Sequence, residues 1–534
     1  MGPLGEERLL LVQKVYNMVS RIRRLMTMAL LPFVLFPLPA AADEPALDAA
    51  AISAKVDAAS PKATTYRETT ETVTSNGSKT VTVTIRRGQD WRTVYGRGPF
   101  QEEQGVAGGQ GWHQNANGQT VLEQPEAGEA KADPTTSRVA RISTPVDGYV
   151  VSELNLRGWG ERRYVDATTW HVVRTEQVSA NGTSTTNYDD FRDDLGRVFA
   201  HHWATDNRYA QTTSDTRVIA YDTSPVSDSE VAVPETRRLL VEFPEGMHSV
   251  DLPAQFGTDL GFSHVYVRVM INGRGLDFVL DSGADSITID NGTAHELGLE
   301  LYGKRLAAAA GRFTTGRALV PEMRIGPLTM HNVAVDIVPD GDNEVPGVRT
   351  VGLLGFDFLA ELGVTIDYEH QKVTAVPGRD YVPPVGPNVI PLDVRLGDDV
   401  PSVDVAINGA LSEDFIVDTG GAGGLMIFDA FARKHPEALK DDGGGGIMRQ
   451  MSFGGIGGAF ETKPYQLRSA RVGPLNFVDF VSYLVTTREA YDWGDDGIIG
   501  TEFLRLFNVG LDYGDSRIYL VPNKDGRRAM NIKG

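Results

Sequence analysis

The 534-residue chain contains no cysteine. That excludes disulfides, thiolate zinc sites, cysteine nucleophiles and a lipidated N-terminal cysteine, so its chemistry rests on oxygen and nitrogen groups. The body of the chain has no long Lys/Arg run, and 51 basic against 71 acidic residues give a formal net charge of −20 and a pI near 5.0. Nucleic acid is not an expected partner for such a chain. Gly-x-Ser-x-Gly and His-Glu-x-x-His are both absent, so serine-hydrolase and zincin readings have no support. Long apolar runs are also missing, with one exception near the N-terminus.

In that exception, "RIRRLMTMALLPFVLFPLPAAADEP", Arg21, Arg23 and Arg24 precede an apolar core, and Ala40, Ala41 and Ala42 precede Asp43. The order is that of a secretory signal peptide, residues 1–42, cleaved after Ala42. Pro32, Pro37 and Pro39 argue against a retained membrane anchor. About 20 residues precede the arginines, which makes Met18 a candidate start. The expected location is periplasmic or secreted, in a bacterium.

What is present is room for about two to four domains, with 41 % hydrophobic residues. After a linker (43–62), period-two patterns such as "TETVTSNGSKTVTVTIRR" surround Asn76-Gly77, a hairpin signal repeated at Asn181-Gly182. An antiparallel β domain is expected over 63–225, then a linker (226–249). Within it, the Gly/Gln-rich stretch "EEQGVAGGQGWHQNANGQ" (102–119) is expected to be a loop. The patterns "YVDATTWHVVRTE" and "YDDFRDDLGRVFAHHW" loosely resemble periplasmic lipoprotein-carrier-like half-barrels over about 80 residues. His201-His202 lacks a third ligand at useful spacing and reads as a packed or solvated pair. The acidic loops "PDGDNEVPG" (339–347) and "DWGDDG" (492–497) lack EF-hand spacing and read as solvated. No metal or cofactor is expected.

From residue 250 the chain repeats itself. "VYVRVMINGRGLDFVLDSGA" and "PSVDVAINGALSEDFIVDTGG" each hold a strand, an Asn-Gly turn, a second apolar strand and an aspartate, Asp281 or Asp418. "RIGPLTMHNVAVDIV" matches "RVGPLNFVDFVSYLV", and "GLLGFDFLAELGVTIDYEHQKVTAVP" matches "GIIGTEFLRLFNVGLDYGDSRIYLVP". The expected units are lobe 1 (250–378), a stiff linker (379–388), lobe 2 (389–524) and a tail (525–534). Asp367 and Asp512, which also recur, read as strand-end structural residues.

A single Asp-Ser/Thr-Gly is an ordinary strand-end turn. Two copies at the same point of a repeated unit are not what chance supplies. With "LDSGAD", "VDTGG", "GLLG" and "GIIG" in place, the C-terminal half resembles the retropepsin-like and pepsin-like aspartic proteases. The resemblance implies a mainly β, bilobal acid-protease β-barrel fold with pseudo-twofold-related lobes, preceded here by the antiparallel β domain. It also implies Asp281 and Asp418 as a catalytic pair sharing a proton. Gly283 and Gly420 permit close backbone approach, and Ser282 and Thr419 offer hydroxyls to brace the facing loop. Flap candidates are Gly311 in lobe 1 and Gly457 and Gly458 in "SFGGIGGAF" of lobe 2. The second loop departs from the family pattern, because Gly421-Ala422-Gly423-Gly424 removes side chains that brace it. The implied function is an exported aspartic endopeptidase acting on polypeptides, with both aspartates in one chain so that a monomer suffices. The alternative is a weak or inactive protease-fold binding module for a peptide, lipid or envelope component.

Overall fold

The computed structural model describes residues 47–61, 63–123, 136–154, 160–179, 182–208, 212–259, 262–340, 344–345, 348–396, 399–440, 451–487 and 495–532. The signal segment 1–42 and most of the two acidic loops lie outside the described residues. Among the described residues no helix is long and apolar enough to cross a membrane.

The fold is mainly β, in the bilobal class expected from the sequence. Its N-terminal part is one 13-stranded antiparallel sheet, in which Thr65–Thr74 and Thr212–Asp222, first and last in sequence, lie side by side at the centre. The Asn76-Gly77 signal is a hairpin between Thr65–Thr74 and Lys79–Arg87, with Gly77 at φ +84°. Ser179 pairs with Gly182, while residues 180 and 181 of the second signal lie outside the described residues.

Two local expectations are corrected. Most of the Gly/Gln-rich stretch is not a loop: residues 102–107 and 110–114 belong to strands Phe100–Ala107 and Gln110–Gln114, joined at Gly108-Gly109, both at positive φ, and only 115–119 form a turn. Fully buried Trp112 anchors the second strand, a long-range packing gain that outweighs the low β-propensity of Gly and Gln. The Ala-rich part of 43–62 is a helix, Ala49–Ala59, fixed by buried Ile52.

Residues 226–249 are well packed. Val241 pairs with Met330, and the Glu361 carboxylate accepts from the Leu240 and Val241 amides. His201 and His202 are held by carboxylates, the first by Asp194 and the second by Asp189 and Asp215. These hydrogen bonds, to Asp215 and then Asp189, raise the pKa of His202.

Each half of the repeat builds its own sheet around an Asn-Gly hairpin. Asn272 and Gly273 have φ +50° and +76°, and Asn408 and Gly409 have +49° and +92°, the mirror-image turn that matches strand twist. A third, six-stranded sheet draws strands from both halves, with Leu362–Asp367 beside Phe507–Asp512 at its middle. There Thr365 pairs with Gly510, its own equivalent 145 residues on, so the pseudo-twofold axis passes between them. Asp367 and Asp512 close turns at the ends of these strands, accepting from the His370 and Asp515 amides.

Candidate active site

The strands Arg274–Leu280 and Ala410–Val417 run into the sheet interior and stop at Asp281 and Asp418. Behind each loop a short strand from the "GLLG" or "GIIG" motif pairs in parallel with it, Leu280 with Leu354 and Val417 with Ile499. The Asp281 amide donates to the Leu354 carbonyl at 3.0 Å, and the Asp418 amide to that of Ile499 at 2.9 Å. The repeat thus delivers both carboxyls by the same construction.

The two loops hold one another reciprocally. Thr419 Oγ1 accepts from the Ser282 amide at 2.9 Å and donates to the Leu280 carbonyl at 2.8 Å. Ser282 Oγ accepts from the Thr419 amide at 3.0 Å and donates to the Val417 carbonyl at 2.6 Å. All four bonds are buried, so each contributes about 1 kcal/mol net and leaves costly orphans if one partner is lost. Tyr513 Oη adds a 3.5 Å bond to the Ser282 carbonyl.

Gly283 and Gly420 have no room for a side chain. A Cβ on Gly283 falls 2.6 Å from Asp418 Cγ, and one on Gly420 falls 2.3 Å from Asp281 Cγ. Each carboxylate therefore lies over the other loop's glycine, and each accepts from its own loop, Asp281 from the Gly283 amide and Asp418 from that of Gly420, both at 2.9 Å. The two carboxyls are close enough for each to shift the other's titration. Burial, then the charge of Asp418, pushes Asp281 well above the ordinary carboxylate range; burial raises Asp418 too, against hydrogen bonds from Asp281 and the loop amides. Two carboxyls so placed titrate as a pair and retain a shared proton where isolated ones have lost theirs.

The glycine-rich second loop is firmly pinned. Amides of Gly500, Thr501 and Glu502 donate to the carbonyls of Gly424, Gly421 and Gly423 at 2.8 to 2.9 Å. Thr501 Oγ1 adds a 3.1 Å bond to the Gly421 carbonyl. Backbone amides thus replace the side-chain bracing that the glycines lack.

Both flap candidates are tips of hairpins, and the tips meet. Tyr302–Ala308 and Arg312–Ile325 form one, Met451–Gly455 and Gly458–Val472 the other. The Gly311 amide lies 3.4 Å from the Ile456 carbonyl. Ala310 packs into the apolar cluster of Met426, Phe428, Phe453 and Phe460, which Ala422 of the second loop also touches. The first hairpin therefore reaches across to the other lobe, a relationship with no local sequence signature.

Residues 267–358 match the aspartyl protease family model. The aspartyl protease match spans Asp281 and its "GLLG" partner in the first lobe, in line with the resemblance read from the sequence. An aspartic proteinase from Irpex lacteus aligns with 52 % of this chain and 98 % of its own, at 12 % identity and a TM-score of 0.32. A LolA superfamily protein from Nitrosomonas europaea aligns with 35 % of this chain and 98 % of its own, at 14 % identity and a TM-score of 0.28. A putative outer membrane lipoprotein-sorting protein domain from Vibrio parahaemolyticus covers 34 % and 94 %, at 10 % identity and a TM-score of 0.27. No curated protein matches the chain.

Sequence reasoning missed Asp357, Thr501 and Ala310. Asp357 is buried and accepts from the Ile287 amide at 3.0 Å, just past the first catalytic-loop candidate. Burial pushes its pKa up to about 7 against the hydrogen bonds that lower it. An acid recurs at its repeat position, Glu502, and that was the available signal.

Proposed function

We propose that this chain is an aspartic endopeptidase, hydrolysing peptide bonds with a water held between Asp281 and Asp418. The observation that supports the reading is the reciprocal Ser282/Thr419 grip, together with each carboxyl lying over the glycine of the opposite loop. In the pair's singly protonated state, the ionised carboxyl takes a proton from the attacking water. The protonated one donates to the carbonyl oxygen as the tetrahedral intermediate forms. Collapse of that intermediate returns a proton to the leaving amine and restores the pair. The hairpin tips cover the cleft and exclude bulk water while a polypeptide is bound. Both carboxyls come from one chain, so the reading requires no second copy.

Export through residues 1–42 belongs to the same proposal and is checked by sequencing the N-terminus of the mature protein. The activity is tested by cleavage of an unfolded protein by Asp281→Asn and Asp418→Asn. Each should lose at least about a thousandfold in kcat/KM. Full activity in either variant, or no cleavage by the wild-type protein between acid and neutral pH, favours instead a protease-fold binding module.

A further inference from the structure

Several contacts that Phe100–Gln119 makes with the C-terminal half fall on parts of the first half-site, while His113 Nε2 pairs with Asp399 of the second lobe at 2.7 Å. Phe100 meets Tyr302 edge-on, with ring centroids 5.7 Å apart. Two residues along, Glu102 Oε1 pairs with Arg317 Nη1 at 2.8 Å, and Arg317 Nε reaches Asp336 at 3.0 Å. Tyr302 and Arg317 are cross-strand partners in the first flap hairpin, so both of its arms are gripped at one rung.

The following turn reaches the floor of the same half-site. Asn115 Nδ2 donates to Asp357 Oδ1 at 3.0 Å, while Asp357 Oδ2 takes the Ile287 amide at 3.0 Å. Gln119 Nε2 donates to the Asp357 carbonyl at 2.9 Å, and Asn117 exchanges two hydrogen bonds with the Ala334 backbone. Asn117 and Gln119 are each only 4 % exposed, and burying amides is costly unless they are paired. One cavity of about 90 Å³ lies among these contacts, bordered by Glu102, Asn115, Asp285, Arg317, Asp357 and Asp399.

The second half-site is braced differently. At the repeat position of Phe356, Thr501 supplies a hydroxyl to its own active-site loop, and the first lobe has no such group there. We propose that the N-terminal sheet supplies the missing bracing: Glu102 is a positioning residue for the first flap, and Asn115, through Asp357, for the loop that carries Asp281. The inference rests on the endopeptidase reading and gives the N-terminal sheet a share in turnover.

The two contact groups predict different kinetic defects, which a purely stabilising interface does not. With the full chain and a denatured, dye-quenched protein as substrate, Glu102→Gln should raise KM about three- to tenfold with kcat within about twofold. Asn115→Ala should lower kcat about tenfold with KM within about twofold, per site titrated with a statine-containing peptide. Asn115→Asp keeps the side-chain shape and the acceptor for the Gln119 amide, but it regains a donor toward Asp357 only when protonated. Its kcat relative to wild type should therefore rise as pH falls, in a cavity it shares with Glu102, Asp285, Asp336, Asp399 and Arg317. Unchanged kcat and KM per titrated site in all three variants, with only a lower melting temperature, would overturn the positioning role. Absence of cleavage by the wild-type chain would remove the endopeptidase reading itself, and this inference with it.

Discussion

Gly421 lies against the carboxylate of Asp418: a Cβ at this position falls 2.3 Å from Asp418 Oδ2 and 3.0 Å from the Ile498 side chain. The equivalent position in the first lobe is Ala284, and there Asp281 keeps its hydrogen bond from the Gly283 amide. The extra glycine is therefore a steric requirement of this second loop. Gly421→Ala should push the Asp418 carboxyl off its seat and lower kcat at least about tenfold. Ala284→Gly should leave kcat within about threefold, because it removes one methyl and leaves the Ala284 amide in place. Steady-state kinetics of both variants, with circular dichroism to show that each is folded, checks the asymmetry.

Replacing Asp281 or Asp418 by Asn removes one of two carboxyls, the first buried and the second half-buried, that repel each other when ionised. Asp281→Asn and Asp418→Asn should therefore melt no lower than wild type near pH 8, while losing the proposed activity. Calorimetry at that pH is the measurement, and a fall of several degrees would contradict the placement of the pair.

The grip between the loops separates hydroxyl chemistry from shape. Thr419→Val keeps the volume but orphans the buried Ser282 amide and Leu280 carbonyl, each costing about 1–3 kcal/mol. Thr419→Ser retains both bonds. Chemical denaturation should show a loss of about 2–5 kcal/mol for Val and under about 1.5 kcal/mol for Ser, with kcat falling steeply only for Val.

Stability should fall as pH rises through the weakly acidic range. The Asp357 carboxyl is raised to about 7 in the folded state, so the native protein keeps a proton that the unfolded chain releases near pH 4. Between roughly pH 4 and 7 the native state binds more protons, and stability declines with pH before levelling off. The raised Asp281/Asp418 pair acts in the same sense. Glu230, lowered to about 2 chiefly by the Ser227 amide and Arg67, acts oppositely and loses its contribution only below about pH 4.5. Melting temperatures across this range should show the decline, and Asp357→Asn should flatten it.

Much of the site was legible because it is locally encoded twice. Asn-Gly turns, alternating strands and Asp-Ser/Thr-Gly are short-range signals, and their recurrence after 137 residues identified Asp281 and Asp418 as one constellation. The Gly/Gln-rich strands near Trp112 were not legible, because their pairing is stabilised by burial that composition does not report. The flap candidate of the first lobe was faint for a similar reason: its hairpin tip is defined by what it touches in the other lobe.

By itself the sequence determined the repeat, the turns and the residues able to do acid and base work, since each depends on neighbours within a few positions. Tertiary structure alone decided that Ser282 and Thr419 grip across 137 residues and that Asn115 reaches Asp357 across 242. Such contacts arise only after distant strands have closed their sheets, and the free energy that makes them comes from desolvated hydrogen bonds and packing that no local pattern encodes.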